Sequence, residues 1–350
     1  MANQINFLQP KTREAKIEEI LNRYNQPEYR LKQVFEAIYK KHVKTYDEIT
    51  TLSKELREDF KNELGDILTL KPIAITTDEF TEKVLFETID GSKIEAVKIK
   101  YKDHTSLCVS SQAGCALGCK FCATGTLGFR KNLSPDEICD QLLYFIQKGE
   151  KIDTIVFMGM GEPFANPQLF DALAMLTDPD YFGLGQRKIS VSTVGLIPGI
   201  QRLAKEFPQI NLAYSLHSAF HEQRMELMPV AKVYPAEAVF IELKDYIEQT
   251  NRKVFIAYLL IKGVNDSPEH AKALAALIKK QGPKSYLYHI NLIKFHESDV
   301  VKGMKKPDET AVERFSTVLM HRGIAYTLRQ SFGEEIDAAC GQLFAKNRKK

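Results

Sequence analysis

Apolar residues recur at helical spacing near the amino terminus. Ile17, Ile20, Leu21 and Tyr24 form one stripe, and Leu31, Val34, Phe35, Ile38 and Tyr39 form a second. Gln26-Pro27 and the polar stretch near Thr45 interrupt the pattern, so residues from about 11 to 64 are expected to fold as three helical elements. From Lys83 the texture changes. Val84-Leu85-Phe86 and Ile94 to Ile99 read as two strands joined at Asp90-Gly91. Beyond Leu107, strand and helix patterns alternate. Strands are expected at 107–110, 154–158, 189–194, 211–216, 254–261, 286–293 and 325–328. Helices are expected from Ser134-Pro135-Asp136-Glu137, which has the make-up of a capping box, and near 166–176, 236–249, 267–280 and 308–322. Such a succession of βα units implies an α/β fold with a parallel sheet, open or curled into a full or partial barrel. The expected organisation is a helical domain over 1–82, a β-hairpin linker over 83–106, the barrel over 107–345 and a basic tail over 346–350.

Composition narrows the class. Of 350 residues, 44% are hydrophobic and 27% charged, which permits a large buried core. No window approaches the roughly 20 apolar residues of a membrane helix. The stretch from Met1 to Glu14 is polar and lacks a signal-peptide core, so a cytoplasmic location is expected. The net charge of +3 permits a polyanionic partner without requiring one. Short basic clusters at Lys40-Lys41, Lys279-Lys280, Lys302 to Lys306 and Arg348-Lys349-Lys350 are equally compatible with solvated surface.

The cysteines carry the first chemical signal. There are six, Cys108, Cys115, Cys119, Cys122, Cys139 and Cys340, and four of them fall between positions 108 and 122. In a cytoplasmic chain of this length such crowding favours metal-binding or catalytic thiols over structural disulfides. Cys115-x3-Cys119-x2-Cys122 can ligate three irons of a [4Fe–4S] cube and leave the fourth open for chemistry. Gly114, Gly118, Gly125 and Gly128 surround the run, which follows the first barrel strand, at the sheet end where such folds place their sites. A zinc site is the alternative, but zinc usually takes four ligands in two paired arms, and no second pair is present. Cys139 sits within a helical pattern and is assigned to packing. Downstream, Phe157-Met158-Gly159-Met160-Gly161-Glu162-Pro163 closes the second barrel strand. A glycine-rich strand end leaves backbone groups free, and a carboxylate there can pair with an ammonium.

The cysteine run with Phe121 before its last cysteine, together with the Gly-Met-Gly-Glu strand end, resembles the radical-SAM superfamily. The likeness narrows further. Cys108-Val109-Ser110-Ser111-Gln112, Ser215-Leu216-His217, Leu227-Met228-Pro229, Gly263-Val264-Asn265-Asp266-Ser267 and Ile336-Asp337-Ala338-Ala339-Cys340-Gly341-Gln342-Leu343 follow in the order of the RlmN/Cfr family, over nearly the whole chain. That family methylates an adenosine in the peptidyl-transferase centre of 23S rRNA. The resemblance implies a partial (β/α) radical-SAM barrel with a small helical domain that assists RNA binding. It implies a [4Fe–4S] cluster on Cys115, Cys119 and Cys122. S-adenosyl-L-methionine would lie against Gly161, Glu162, Ser192, Ser215, Leu216, His217 and Asn291. Cys340 would carry the methyl group as S-methylcysteine, Cys108 would be the second catalytic thiol, and Glu95 the proton acceptor. An adenine ring carbon is a poor nucleophile, so a covalent route divides the reaction into easier steps. A deoxyadenosyl radical activates the Cys340 methyl, the methylene adds to adenine, and Cys108 releases the product as a Cys108–Cys340 disulfide.

The resemblance also implies 23S rRNA as partner, with tRNA as a second candidate substrate and an electron donor such as flavodoxin. Two points of the chain depart from a single family pattern. Asn291-Leu292-Ile293-Lys294-Phe295-His296 lacks the Asn-Pro that usually follows. Gly161-Glu162-Pro163 and Ala116-Leu117-Gly118 resemble the carbon-2 enzymes. Leu176-Thr177-Asp178-Pro179, Ser215-Leu216-His217-Ser218 and Phe332-Gly333 resemble the carbon-8, antibiotic-resistance branch. The expectation is carbon 2, with carbon 8 as the alternative. A radical-SAM enzyme acting on a non-RNA substrate and a non-catalytic zinc protein that binds RNA are the competing readings.

Overall fold

The computed structural model describes residues 12–344. The stretch before Thr12 and the basic tail at 346–350 lie outside the described residues. The chain begins with α1 (Arg13–Arg23), α2 (Tyr29–Phe35) and α3 (Lys54–Leu64), then β1 (Leu70–Thr77), β2 (Thr81–Thr88), β3 (Lys93–Lys100) and β4 (Thr105–Cys108). It continues through β5 (Gln112–Gly114), α4 (Ala123–Thr126), β6 (Phe129–Asn132), α5 (Pro135–Gln147), β7 (Thr154–Phe157), α6 (Leu169–Thr177) and β8 (Ile189–Thr193). It ends with α7 (Ile197–Glu206), β9 (Asn211–Ser215), α8 (His221–Leu227), α9 (Ala236–Thr250), β10 (Val254–Leu260), α10 (Pro268–Lys279), β11 (Tyr288–Lys294), α11 (Glu309–His321) and β12 (Tyr326–Leu328). No described helix is long and apolar enough to cross a membrane.

One compact unit comprises the described residues up to Leu70, with Leu133–Lys151 and Gln168–Leu184. The three amino-terminal helices therefore share a core with α5 and α6. Ile17, Ile20, Val34, Ile38, Phe60 and Leu143 are at most 1% exposed in it. The Ser134 hydroxyl accepts from Glu137 N at 3.1 Å and the Glu137 carboxylate accepts from Ser134 N at 2.9 Å, so the expected capping box starts α5. Cys139 is fully buried, with its thiol 3.7 Å from the Ala172 carbonyl, as its assignment to packing requires.

Arg13 is the polar anchor of this unit. Its guanidinium meets Asp140 at 2.5 Å and donates to Tyr39 at 2.9 Å, while its backbone N–H donates to Asp136 at 2.7 Å. Burial pushes the Asp140 carboxyl up against the pull of Arg13. Removing one partner of a buried pair leaves an uncompensated charge. Arg13→Met is therefore expected to cost about 3–5 kcal/mol at neutral pH. Without Arg13 the Asp140 carboxyl rises further, so the deficit should shrink as pH falls and that group takes up a proton. Urea denaturation of both proteins at two pH values measures it.

The second unit comprises Lys71–Asn132, Ile152–Pro167 and the chain from Gly185. Its sheet has ten strands in the order β1-β2-β3-β4-β7-β8-β9-β10-β11-β12. From β4 to β12 every neighbouring pair is parallel, whereas β2–β3 and β3–β4 are antiparallel. No hydrogen-bonded pairing closes the sheet among the described residues, so it is a partial barrel. The strands read as a hairpin joining two domains are part of this sheet, as is β1, which lies in the stretch expected to be helical. The sheet has two distinct faces. Leu107, Ile155, Phe157, Ile189, Val191, Leu212, Ile256, Ile290 and Leu292 are buried to 1% or less. On the alternate face several positions are polar and only half-buried, including Ser190, Ser192, Ser215 and Asn291. Successive strand residues point to opposite faces, so this alternation separates an apolar core face from a face lined for a polar ligand.

Candidate active site

The cysteine loop is set by a small two-stranded sheet. β5 and β6 pair antiparallel, and Cys115 N donates to Gly128 O at 3.0 Å to extend the clasp. A Cβ at Gly114 (φ +73°) would overlap the Gly128 carbonyl oxygen, so only glycine fits that approach. Lys120 N donates to Leu227 O at 2.9 Å and Cys122 N to Cys119 O at 3.2 Å, which fixes the rest of the loop. Cys115, Cys119 and Cys122 are half-buried and free. Burial pushes the Cys115 thiol up to about 11, while the N–H groups of Leu117 and Glu162 pull it down. Burial also raises Cys119, and repulsion from Cys122 and Cys115 raises it further. Such repulsion places the three thiols near one another. This donor set suits a cationic metal core, which would reverse the repulsion and draw the thiols into their thiolate form. Among the described residues no three His, Cys, Asp or Glu side chains converge as ligands of a single ion. An iron–sulfur cube takes each thiolate on a different iron, so its ligands need not converge on a point.

Beside this loop the segment after β7 approaches the backbone of the segment after β4. Ser111 N donates to Met160 O at 2.9 Å, Met160 N to the Ser110 hydroxyl at 2.9 Å, and Glu162 N to the Gln112 side-chain oxygen at 2.9 Å. Gly161 has φ +97°, and a Cβ there would lie 2.5 Å from Gln112 Cβ. Gly161→Ala combines backbone strain with overlap, and is expected to lower stability by about 2–4 kcal/mol. Denaturant titration, with far-ultraviolet circular dichroism as readout, measures that loss. Glu162 is 3% exposed and accepts from Thr193 Oγ1 at 2.6 Å, Val194 N at 3.0 Å and Phe164 N at 3.3 Å. Burial pushes its carboxyl up to about 7 against the pull of these donors. Three donors on about four lone-pair sites leave room for one more, which an ammonium can fill.

The ends of the next strands continue this wall. Ser192 and Ser215 hydroxyls lie 3.3 Å apart. Ser215, Ala257 and Asn291 stand in one cross-strand row on the half-buried face. His217 turns the chain with φ +58°, and its Nδ1 accepts from Leu259 N at 3.0 Å, which places the ring proton on Nε2. Burial, helped by Arg224, pushes the ring down to about 3, so it stays neutral near pH 7. The ring packs edge-on against Phe121 from the cysteine loop at 4.8 Å.

Two residues that sequence pattern does not single out as functional hold these strand ends. Arg224, 1% exposed, donates to the carbonyls of Val194, Leu216 and Tyr234 at 2.9, 3.2 and 3.3 Å. Asn265, fully buried, donates to His217 O and Leu259 O at 2.7 and 2.6 Å and accepts from Ile261 N at 2.7 Å. Asn265 lies within a motif carried by the family resemblance, but an isolated arginine on a short helix leaves no local signal.

Cys108 and Cys340, far apart in the chain, lie near enough to interact electrostatically. Cys108 closes β4 and is buried, whereas Cys340 is open to solvent. Burial pushes Cys108 up to about 12, and repulsion from Cys340 adds to the rise. Although the Cys340 residue as a whole is exposed, the protein around its sulfur desolvates the thiol and raises it, Arg329 pulls it down, and Cys122 repels it. The Cys340 segment docks on the cysteine loop, with Ala123 N donating to Gly341 O and Thr124 Oγ1 to Leu343 O, each at 2.8 Å. All six cysteines are free, so the disulfide implied between Cys108 and Cys340 is not formed in this structure. Glu95 is buried at 5% exposure rather than on an outer surface. Leu85 opposes Glu95 and Val97 opposes both Lys83 and Cys108, so Lys83, Glu95 and Cys108 share one face of the sheet.

Comparison with known proteins agrees with this geometry. Residues 109–275 match the radical SAM superfamily, and residues 6–64 match the ribosomal RNA large subunit methyltransferase N-terminal domain. The crystal structure of a radical SAM methyltransferase from Sphaerobacter thermophilus superposes with a TM-score of 0.89 at 38% identity, covering 95% of this chain and 98% of that one. Fold and site thus define a radical SAM methyltransferase. Ribosomal RNA large subunit methyltransferase Cfr of Clostridium botulinum (strain Loch Maree / Type A3) is 47% identical over 341 residues, covering 97% of this chain and 99% of its own. The protein of the same description from Staphylococcus aureus is also 47% identical, over 95% and 97% of the two chains. The chain belongs to the RlmN/Cfr family of radical-SAM ribosomal RNA methyltransferases.

Proposed function

We propose that this enzyme methylates a ring carbon of an adenosine in large-subunit ribosomal RNA through a methyl group carried on Cys340. The observation that carries this reading is the docking of the Cys340 segment on the cysteine loop, through Ala123 N to Gly341 O and Thr124 Oγ1 to Leu343 O, each at 2.8 Å. Cys115, Cys119 and Cys122 would hold a [4Fe–4S] cluster, which supplies an open iron for reductive cleavage of S-adenosylmethionine. Glu162 would take the methionine ammonium. Ser192, Ser215, Leu216, His217 and Asn291 would line the rest of the cofactor's bed.

The protein's own groups divide the chemistry. Cys340, accessible to both cofactor and RNA, accepts and then presents the methyl carbon. Glu95 takes the ring proton. Cys108 attacks the Cys340 sulfur, forming a disulfide as the carbon–sulfur bond to the product breaks. A thiol raised to about 12 is a weak nucleophile at neutral pH. The helical residues within 12–82, with Lys40 and Lys41, would supply phosphate contacts that position the RNA without reading its sequence. An unstacked adenosine is the expected substrate form. Transfer RNA is a second substrate to test, and flavodoxin a candidate electron donor.

For the target atom we infer carbon 8 rather than the expected carbon 2; relatives named Cfr match nearly the whole chain, and Ser215-Leu216-His217-Ser218 resembles the carbon-8 branch. Anaerobic reconstitution with iron, sulfide, reductant and a 23S rRNA fragment tests both levels. Mass spectrometry of the nucleosides should find methyladenosine, and comparison with the two isomers assigns the carbon. Absence of any modified nucleoside from protein that holds its cluster would contradict the reading.

A further inference from the structure

The Lys83 ammonium lies within the sheet with 13% of its side chain exposed, and it touches two elements that the reaction has to coordinate. It faces a Glu95 carboxylate oxygen at 3.4 Å and donates to the Asp337 carbonyl at 3.1 Å, three residues before Cys340. The other Glu95 oxygen accepts from Phe344 N at 2.8 Å, four residues after Cys340. The segment that bears the methyl-carrying thiol is thus tied on both sides to one buried carboxylate–ammonium pair. Lys83, Glu95, Glu335, Asp337 and Phe344 line a cavity of about 460 Å³ beside this pair.

We propose that Lys83 is a positioning residue for the methyl transfer, keeping Glu95 as a carboxylate and aligned with the Cys340 segment so that it can take the ring proton. The inference rests on the reading of Glu95 as proton acceptor. In the step concerned, one adenine carbon–hydrogen bond breaks. The proton passes to a Glu95 oxygen, the bonding electron pair stays in the ring, and no redox change accompanies the transfer.

The charges around Glu95 make Lys83 decisive. Burial raises the Glu95 carboxyl above its ordinary range, and Asp337 raises it further. Glu335 and Asp299 add negative charge to the same cavity. Among the described residues lining the cavity, Lys83 is the cation opposing them, and the Phe344 N–H donates to Glu95. Without Lys83 the carboxyl rises further, a smaller fraction is ionised at neutral pH, and proton removal slows. The loss recovers as pH rises, because a higher pH restores the carboxylate.

The test uses full-length enzyme with its cluster reconstituted and a 23S rRNA fragment as substrate. It compares Lys83→Met, Lys83→Arg, Glu95→Gln and a control, Lys98→Met, whose lysine pairs with Glu82 at 2.9 Å on the opposite sheet face. Lys83→Met should lower turnover at neutral pH roughly tenfold or more. The acid limb of its pH profile should move upward, and protein covalently linked to RNA should accumulate on denaturing gels. Lys83→Arg, which keeps the charge, should restore most of the rate, and Lys98→Met should keep the parental profile. If Glu95→Gln arrests turnover while Lys83→Met keeps the parental profile without adduct, the role of Lys83 is wrong and that of Glu95 stands. If Glu95→Gln turns over normally, the proton-acceptor reading fails and the role of Lys83 falls with it. A uniform loss in Lys83→Met at every pH, unrescued by arginine, would mark a purely structural contact and overturn the proposal.

Discussion

Cys340→Ala should abolish methyl transfer to RNA, by on the order of a thousandfold or more, while leaving the iron–sulfur absorbance of the protein intact. The size of the effect follows from the chemistry of the acceptor. An adenine carbon does not displace a methyl group from a sulfonium at a useful rate, so removing the covalent carrier removes the route. The structure explains why the cluster should survive. Cys340 is open to solvent, and the Cys340 segment is fastened to the cluster loop through the Gly341 and Leu343 carbonyls, which the substitution leaves in place. Cys340→Ser should fail as well, because a serine hydroxyl is not ionised near neutral pH and makes a poor nucleophile. Methylation assayed beside the visible absorbance separates loss of the carrier from loss of the cluster.

Cys119→Ala should produce the other large loss, with bound iron and sulfide, visible colour and methylation falling together. Burial raises the Cys119 thiol and repulsion from Cys122 and Cys115 raises it further, so a cationic core there relieves unfavourable electrostatics. With two protein ligands instead of three, a cube exposes a second corner and is lost or degraded. Activity should drop by a thousandfold or more, below detection in most assays. Cys139→Ala is the matched control, since that thiol is buried against the Ala172 carbonyl, and it should keep its iron. Iron and sulfide analysis of anaerobically purified proteins makes the comparison. Zinc in place of iron in the parent would instead favour the zinc-binding reading of the same cysteines.

Much of this arrangement was legible in the amino-acid sequence because its signals are local. The Ser134-Pro135-Asp136-Glu137 start of α5, the seven parallel strands from β4 to β12 and the helices α9, α10 and α11 each show their own cap or periodicity. Others do not. Pro198 and Gly199 mask the apolar face of α7; the glycine is needed because Phe164 packs where a Cβ would stand. α8 has only seven residues, too few to display a period. β1 is mostly exposed along its length and carries Pro72, so it lacks the alternation that marked β2 and β3. β5 and β6 are three and four residues long, and their pairing depends on Gly114 and Gly128 meeting across the loop.

The site divides in the same way. The cysteine run could be read as chemistry from its spacing, whereas the Gly-Met-Gly-Glu strand end, weak alone, gained meaning from its place one βα unit after the cysteines and from family likeness. Cys340, Cys108 and Glu95 acquired roles only through family likeness, since each taken singly has the composition of ordinary core or surface. Lys83, Arg224, Thr193 and Asn265 act through partners distant in sequence, such as the Asp337 carbonyl for Lys83 and the Val194 carbonyl for Arg224. Their contribution is a matter of tertiary geometry, which no window of sequence contains.

The carrier role of Cys340 can be tested in a single turnover. The enzyme is first loaded with S-adenosylmethionine bearing an isotopically labelled methyl group, freed of small molecules, and then given unlabelled S-adenosylmethionine, reductant and RNA. A methyl group parked on Cys340 predicts that the labelled carbon appears on the Cys340 peptide before RNA is added and in the first methyladenosine formed afterwards. First-turnover methyladenosine carrying only the unlabelled methyl group would contradict it.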